Sequence, residues 1–288
     1  MPDTTYQTFM TNTETGVTEE VTSGQYFTAD ELNRRRQAAE AAREREIRQA
    51  ANSDQVQRYG HFTWFRYEYL VSDFKNLSPL QIARLFYAAT CLPYNGCKLT
   101  HGNGNALTSS GLQKKLSLSD SAYRRFIKEA KEGQYMQDSG DTIAIDSALF
   151  ARQPIRSWCD DGIPFIRIYH ETYRYLFEHL TPRKQGTLGY LIKLIPFINA
   201  GNNIVCSNPD VENIEQINPI NMQEICRVVG YTPNQASRLQ KDLEGLRLPN
   251  GQAAFQYVCD RDIAVINPLL FYAGTRWDAI LDEFFSST

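Results

Sequence analysis

Two stretches of this 288-residue chain set cationic and polar side chains at helical spacing opposite an apolar stripe. In 120–132, Ser121, Arg124, Arg125 and Lys128 recur at i, i+3, i+4 and i+7, while Tyr123, Phe126, Ile127 and Ala130 make the other face. In 233–246 the same positions hold Asn234, Ser237, Arg238 and Lys241, opposite Ala236, Leu239 and Leu243. The chemistry these residues offer is recognition. Arg and Lys donate to guanine edges and phosphate, Asn and Gln suit adenine, and Ser serves either. A helix that packs on its own domain and also lies in a major groove needs this division of faces. Lys114 and Lys115 precede the first stretch, Gln235 stands near the start of the second, and Arg261 falls in a later turn. Together with the eight face residues they are the candidate DNA-contacting positions. Asn234 and Gln235 favour the second stretch as the base reader, while the first is the more basic: six bases against two acids between Lys114 and Lys131.

Other chemistries find less support. The four histidines (His61, His101, His170, His179) form no HxxxH or HExxH pair, and with six dispersed cysteines they do not suggest a metal site. Gly102-Asn-Gly104-Asn lacks both the GxGxxG spacing and the Lys-Ser/Thr ending of a phosphate loop. Asp160-Asp161-Gly162, directly before Ile163-Pro-Phe, reads as an interdomain turn. No nucleophile elbow is present. The expectation is a protein with no catalytic site, no cofactor and no metal. Its net charge is −3, so affinity for nucleic acid has to be local. Apolar runs such as Leu194–Ile198 fall far short of the roughly 20 residues that span a bilayer. The polar stretch 1–20 has neither the basic nor the apolar region of a secretory signal. Cysteines without short-scaffold spacing read as reduced thiols, which implies the cytoplasm.

The elements that must position the two cationic faces are themselves duplicated. Aligning 62–93 with 165–196 at a constant offset of 103 gives eight identities, among them Phe62/Phe165, Pro79/Pro182, Leu85/Leu188 and Pro93/Pro196. Each copy reads as a strand, a short helix, an N-cap hydroxyl (Ser78, Thr181) and a helix opening on proline. After a loop the copies realign at an offset of 113, with Thr108 opposite Asn221 as N-caps and Glu224 completing a capping box. Two short helices follow in each, joined by Leu116-Ser-Leu-Ser119 and Val229-Gly-Tyr-Thr232, as in a helix-turn-helix. Hairpins come next, around Asp138-Ser-Gly-Asp141 and Cys259-Asp-Arg-Asp262. The copies close alike, on IDSALF at 145–150 and INPLLF at 266–271.

The predicted fold class is α+β, mainly helical with small β-hairpins: two tandem winged-helix domains after an N-terminal arm. The boundaries are 1–58 for the arm, 59–153 for the first domain, and 154–288 for a linker strand, the second domain and a C-terminal helix. In the arm, 1–27 reads as disordered. Thr28 and Glu31 then open a charged helix over 31–51, with only Leu32 and Ile47 as large apolar residues. The polar stretch 199–218 reads as a surface excursion. The dense aromatics before each first helix read as core. The hairpin tips are acidic in the first copy (Asp138, Asp141) and mixed in the second (Asp260, Arg261, Asp262), which counts against a first wing that lies along phosphate.

This arrangement over residues 59–276 resembles the replication initiator proteins of iteron-carrying plasmids and related phage-type initiators. The second unit, with GYTPNQASRLQKDLEGL, a hairpin and VINPLLFYAG, is similar to winged-helix replication proteins of Gram-positive plasmids and phages. The resemblance implies binding of repeated origin sites on double-stranded DNA, autorepression as a homodimer, and contact with host replication proteins. It carries the recognition-helix role onto Ser121, Arg124, Arg125 and Lys128, and onto Asn234, Ser237, Arg238 and Lys241. The near-neutral charge, acidic first wing and long arm depart from the family pattern. Two alternatives share the fold: a winged-helix transcriptional regulator, and an adaptor that binds proteins and uses the arm helix for docking or oligomerisation.

Overall fold

The computed structural model describes residues 8–11, 18–21, 30–31, 33–43, 60–67, 74, 77–152, 164–274 and 285. The chain divides into two units, Met1–Ser53 and Asp54–Thr288. In the first unit, Thr8–Thr11 and Thr18–Val21 pair as antiparallel strands, where the sequence predicts no structure. The β-branched residues Thr8, Thr11, Thr18 and Val21 favour extended backbone, and a pair this short leaves little periodicity to read. Residues 30–31 and 33–43 are helical and almost wholly exposed, in keeping with a solvated helix. Thr28, the stretch 44–51 and the turn at Asp160–Gly162 lie outside the described residues, as does 275–284, most of the expected C-terminal helix.

The second unit mixes helix and strand and holds the duplication. Its first half runs β1 (Phe62–Arg66), α1 (Pro79–Ala89), α2 (Ser109–Lys115), α3 (Asp120–Glu132), β2 (Met136–Asp138), β3 (Ile143–Ile145) and β4 (Phe150–Ala151). The second half runs β5 (Phe165–Tyr169), α4 (His170–His179), α5 (Pro182–Lys193), α6 (Met222–Val229), α7 (Ala236–Glu244), β6 (Phe255–Val258), β7 (Ile263–Ile266) and β8 (Phe271–Tyr272). Helix starts fall where the caps predict. Ser78 accepts from the Gln81 N–H with Pro79 behind it, Thr108 accepts from Gly111, and Asn221 and Glu224 form a reciprocal capping box. Thr181 precedes Pro182 in the same way but makes no side-chain cap bond.

The halves are joined through one four-stranded sheet in the order β8-β5-β1-β4. β1 and β5 pair antiparallel, Phe62 opposite Tyr169 and Arg66 opposite Phe165, with Trp64 opposite Arg167 at the centre. β4 meets β1 through Phe65–Phe150 and Trp64–Ala151, and β8 meets β5 through the matching pairs Ile168–Phe271 and Arg167–Tyr272. This register maps onto itself when the halves are exchanged, so an approximate two-fold axis passes through the Trp64–Arg167 pair. Arg167 is buried there, its guanidinium 4.5 Å from the Trp64 ring and its Nη1 donating to the Gly274 carbonyl.

Helices α1 and α5, equivalent in the repeat, pack on each other across the same seam. A methyl group at Gly189 of α5 would stand 1.8 Å from the Pro79 carbonyl oxygen of α1, so the backbones touch there. Every residue of α1 from Gln81 to Ala89 is buried, because the helix serves its own half on one side and the second half on the other. Phe86 lies against Phe150 of its own half and against Tyr173 and Phe271 of the other, and the Tyr173 hydroxyl donates to the Ala83 carbonyl at 2.8 Å. One hydrophobic core therefore runs through both halves. Trp64, Phe65, Tyr169, Tyr173 and Phe177 are all buried, the core role that the sequence predicts for the aromatics.

The stretch 199–218 is less of a surface excursion than the sequence suggests. Asn203, Val205 and Cys206 are fully buried, and the segment bridges to β7 through Ile204–Val265, with the Val205 N–H bonded to the Ala264 carbonyl at 2.8 Å. The first half does the same with 97–99. Lys98 bridges to Ala144, and the Leu99 N–H reaches the Ile143 carbonyl at 2.8 Å. Each hairpin thus gains a short third strand from the loop before the helix pair. Polar composition hides this, because buried Asn203 spends its amide on the Ile266 and Phe271 carbonyls.

Candidate nucleic-acid interface

The two helix pairs hold their cationic faces outward. Tyr123, Phe126, Ile127 and Ala130 are buried while Ser121, Arg124, Arg125 and Lys128 are exposed. In the second half Leu239 and Leu243 are buried, and Asn234, Gln235, Ser237, Arg238 and Lys241 are exposed. Lys114 and Arg261 are exposed; Lys115 is half-buried at the end of α2, where a cation also suits the helix C-terminus. The second helix differs from expectation at its start. Residues Pro233–Gln235 form a 3-10 turn, and α7 begins only at Ala236, so Asn234 and Gln235 lie in that turn. Proline supplies no N–H there, and Gln235, at φ −111°, breaks the helical run.

The turns between paired helices use two devices. Gly230 ends α6 in the left-handed conformation at φ 75°, while Ser117 takes that role in the first half at φ 53°. Lys193, from the last turn of α5, donates to the Val229 carbonyl at 3.1 Å and so holds the second turn against the first helix of its half. Burial lowers the pKa of this ammonium.

In the first half an open cleft of about 650 Å³ runs between α3, the start of α2 and the hairpin. Arg124, Lys128 and Lys131 line it with Ser109, Gln113, Asp120, Tyr123 and Asp138. Lys131 is a member that sequence reasoning misses; its Nζ donates to the Asp138 carbonyl at 3.0 Å and ties helix to hairpin. The surface ion pair Lys128–Glu132, at 3.8 Å, is too exposed to remove Lys128 from service.

The first hairpin turns one of its acids inward. Asp138 accepts from the Ser109 hydroxyl at 2.9 Å and from the Gly140 N–H at 2.8 Å, and Ser109 also meets the Tyr123 hydroxyl at 3.0 Å. In the second half Asp262 accepts from the Tyr257 hydroxyl at 2.6 Å, and that hydroxyl accepts from the Met222 N–H at 3.4 Å. Ser109 and Met222 are the equivalent first residues of α2 and α6. The first hairpin is thus fastened to the start of its helix pair through the Asp138 carboxylate, and the second through the Tyr257 hydroxyl, which Asp262 holds from within the same hairpin. Burial and this carboxylate push the Tyr257 phenol up to about 12. Asp141 and Asp260 remain exposed at the tips.

The dispersed histidines come together. His61, His101, His170 and His179 all line one cleft of about 710 Å³ between the halves, with Arg152, Arg174, Glu171 and Glu178. His170 is buried, and its Nε2–H donates at 2.7 Å to the Thr63 hydroxyl, which is itself committed to the Ala89 carbonyl. Burial above all, then Arg174, Arg152 and His61, hold its pKa well below the usual histidine range. Sequence spacing could not reveal the cleft, because its walls come from β1, α4 and the loops after α1 and β4. Among the described residues, no group of three or more His, Cys, Asp or Glu is placed to hold a metal ion. No described helix is long and apolar enough to cross a membrane.

Comparison with known proteins finds no matching family model, no matching curated relative and no matching solved structure.

Proposed function

We propose that this chain is a sequence-specific double-stranded DNA-binding protein built from two tandem winged helices, and that it acts as a plasmid- or phage-type replication initiator at repeated origin sites. The observation that carries the reading is the pair of outward cationic helix faces, one per half, related by the approximate two-fold axis of the shared sheet. The order of elements in each half supports the winged-helix part: first helix, short bridging strand, helix pair, two-stranded hairpin. Because one chain carries both faces, a single copy engages two half-sites of opposed orientation without a partner chain. The inward-turned Asp138 removes part of the electrostatic objection to the first hairpin beside phosphate. The initiator role, as against repression of a promoter, rests on the resemblance of the repeated architecture and its closing segment.

The test is a gel shift on fragments that the chain selects from a random duplex pool and from its native replicon. Replacing Arg124, Arg125 and Lys128 with Ala is expected to weaken binding and to flatten the salt dependence, by about 0.9 in log–log slope for each phosphate no longer neutralised. Unchanged affinity on the selected fragments would remove the DNA-binding assignment of α3. A plasmid that replicates after loss of this gene alone would remove the initiator role.

A further inference from the structure

The two cationic helices are not flanked alike. Position by position, Arg125 of α3 corresponds to Arg238 of α7, and both stand on the side nearest the first helix of their half. Arg125 adds to the lowering of the pKa of Arg84 on α1, and Arg238 lines an open groove with the start of α5. On the opposite, hairpin side, the first half sets Arg124, Lys128 and Lys131 among the carboxylates Asp120, Glu132 and Asp138, and the residues that match its three cations in the second half are Ser237, Lys241 and Glu244.

The cationic surplus of the second half lies on the other side. The groove beside α7 has a volume of about 440 Å³, and its lining includes Arg183, Lys184 and Arg238, with Asp242 as the one carboxylate. Arg183 and Lys184 are both exposed. In the first half the equivalent positions are Leu80 and Gln81, neither of which carries charge. The groove also takes in Ser78, Pro79 and Leu80 of α1, so it opens at the seam where the halves meet.

We infer that Arg183 and Lys184, together with Arg238, form a track for the DNA phosphate backbone between α5 and α7, a track that the first half, with Leu80 and Gln81 at the equivalent positions, does not repeat. The inference rests on the DNA-binding reading above. Its consequence is a polar complex: a single chain holds the two half-sites unequally, so the two orientations of an inverted repeat are not equivalent to it. Arg183 and Lys184 stand beside the recognition helix and off its outer face, so they contribute affinity and salt dependence but no sequence preference.

The experiment uses the full chain and two duplexes of equal length, one selected by the wild-type protein from a random pool and one of random sequence. Arg183→Ala/Lys184→Ala is expected to lower the log–log salt slope by about 1.8 on both duplexes, at about 0.9 for each phosphate released. That amounts to roughly 60-fold weaker binding at about 0.1 M salt, converging on wild type near about 1 M. The preference for the selected duplex stays at its wild-type value, and Arg183→Lys/Lys184→Arg restores the slope. Both side chains are exposed, so thermal unfolding of the variants should match wild type. Wild-type slope and affinity in the double alanine variant overturn the track and leave the DNA-binding reading standing. A reduced preference with an unchanged slope also overturns it, because the pair would then be reading bases. A wild-type chain that binds neither duplex overturns both.

Discussion

The backbone contact between α1 and α5 can be tested by a pair of identical substitutions on one helix. Gly186 and Gly189 both lie within α5, one turn apart, and neither has the positive φ that would require glycine. A methyl at Gly186 meets nothing within 4 Å, so Gly186→Ala removes only the helix-propensity penalty of glycine and should stabilise by about 1 kcal/mol. A methyl at Gly189 stands 1.8 Å from the Pro79 oxygen and 2.3 Å from its carbonyl carbon. Contacts below 3.0 Å are essentially never seen for a real Cβ, so the two helices must part by more than about 1 Å, and no flexible side chain is there to yield. Overpacking of this kind costs about 1–3 kcal/mol and sometimes more, and here it strains the seam of a core shared by both halves. The two variants should therefore differ by about 2–4 kcal/mol. For a unit of this size that is a Tm gap on the order of 4–16 °C, with Gly189→Ala below wild type and Gly186→Ala above it. Thermal unfolding followed by circular dichroism gives both Tm values, and urea unfolding gives the free-energy difference. If Gly189→Ala unfolds within about 0.5 kcal/mol of Gly186→Ala, the spread of inconsequential surface changes, the helices do not touch at backbone distance and the fused-core account is wrong.

The remaining predictions concern the histidine cleft and the hairpin tether. Because the folded pKa of His170 lies well below 6.5, the unfolded chain binds the extra proton first as pH falls. This group's contribution is thus fully present above about pH 6.5 and is lost below it, by up to about 1.4 kcal/mol per pH unit. Urea midpoints of wild type and His170→Gln between about pH 5 and 7.5 should diverge in slope on the acid side only; a constant offset across that range would refute the assignment. Asp138→Ala is expected to lower stability by about 1–2 kcal/mol, because it frees the Ser109 hydroxyl and the Gly140 N–H from a charged acceptor. It should leave DNA affinity unimproved. Tighter DNA binding in this variant would mean that the carboxylate faces phosphate after all.

Much of the local architecture is legible in the residues. Ser78-Pro79, Thr108 and the Asn221/Glu224 box each start a helix where their side-chain oxygens can satisfy orphan N–H groups, and such bonds depend only on close neighbours in the chain. The β-prone runs 255–258 and 263–266 on either side of the polar turn Cys259-Asp-Arg-Asp262 set the second hairpin to the residue. The helical period of 120–132 assigns Tyr123, Phe126, Ile127 and Ala130 to the buried face and leaves the arginines outside. Where local preference and tertiary demand differ, the sequence misleads. Polar 199–218 supplies a buried bridging strand because Asn203 finds its partners in β7 and at β8, at Ile266 and Phe271. Asp138 reads as a solvent-facing charge because the helix start that engages it, at Ser109, lies well before it in the chain.

The sequence by itself determined that there are two like-built halves, where their helices begin, and which helix faces are cationic, because capping, periodicity and duplication are properties of the chain read along its length. Only the tertiary structure decided how the halves stand to each other. The antiparallel pairing of β1 with β5 and the backbone contact of Gly189 with Pro79 join segments far apart in the chain, and no local pattern encodes a register between distant strands. The same pairing sets the two-fold axis, gathers four scattered histidines into one cleft and brings Arg183 and Lys184 beside Arg238.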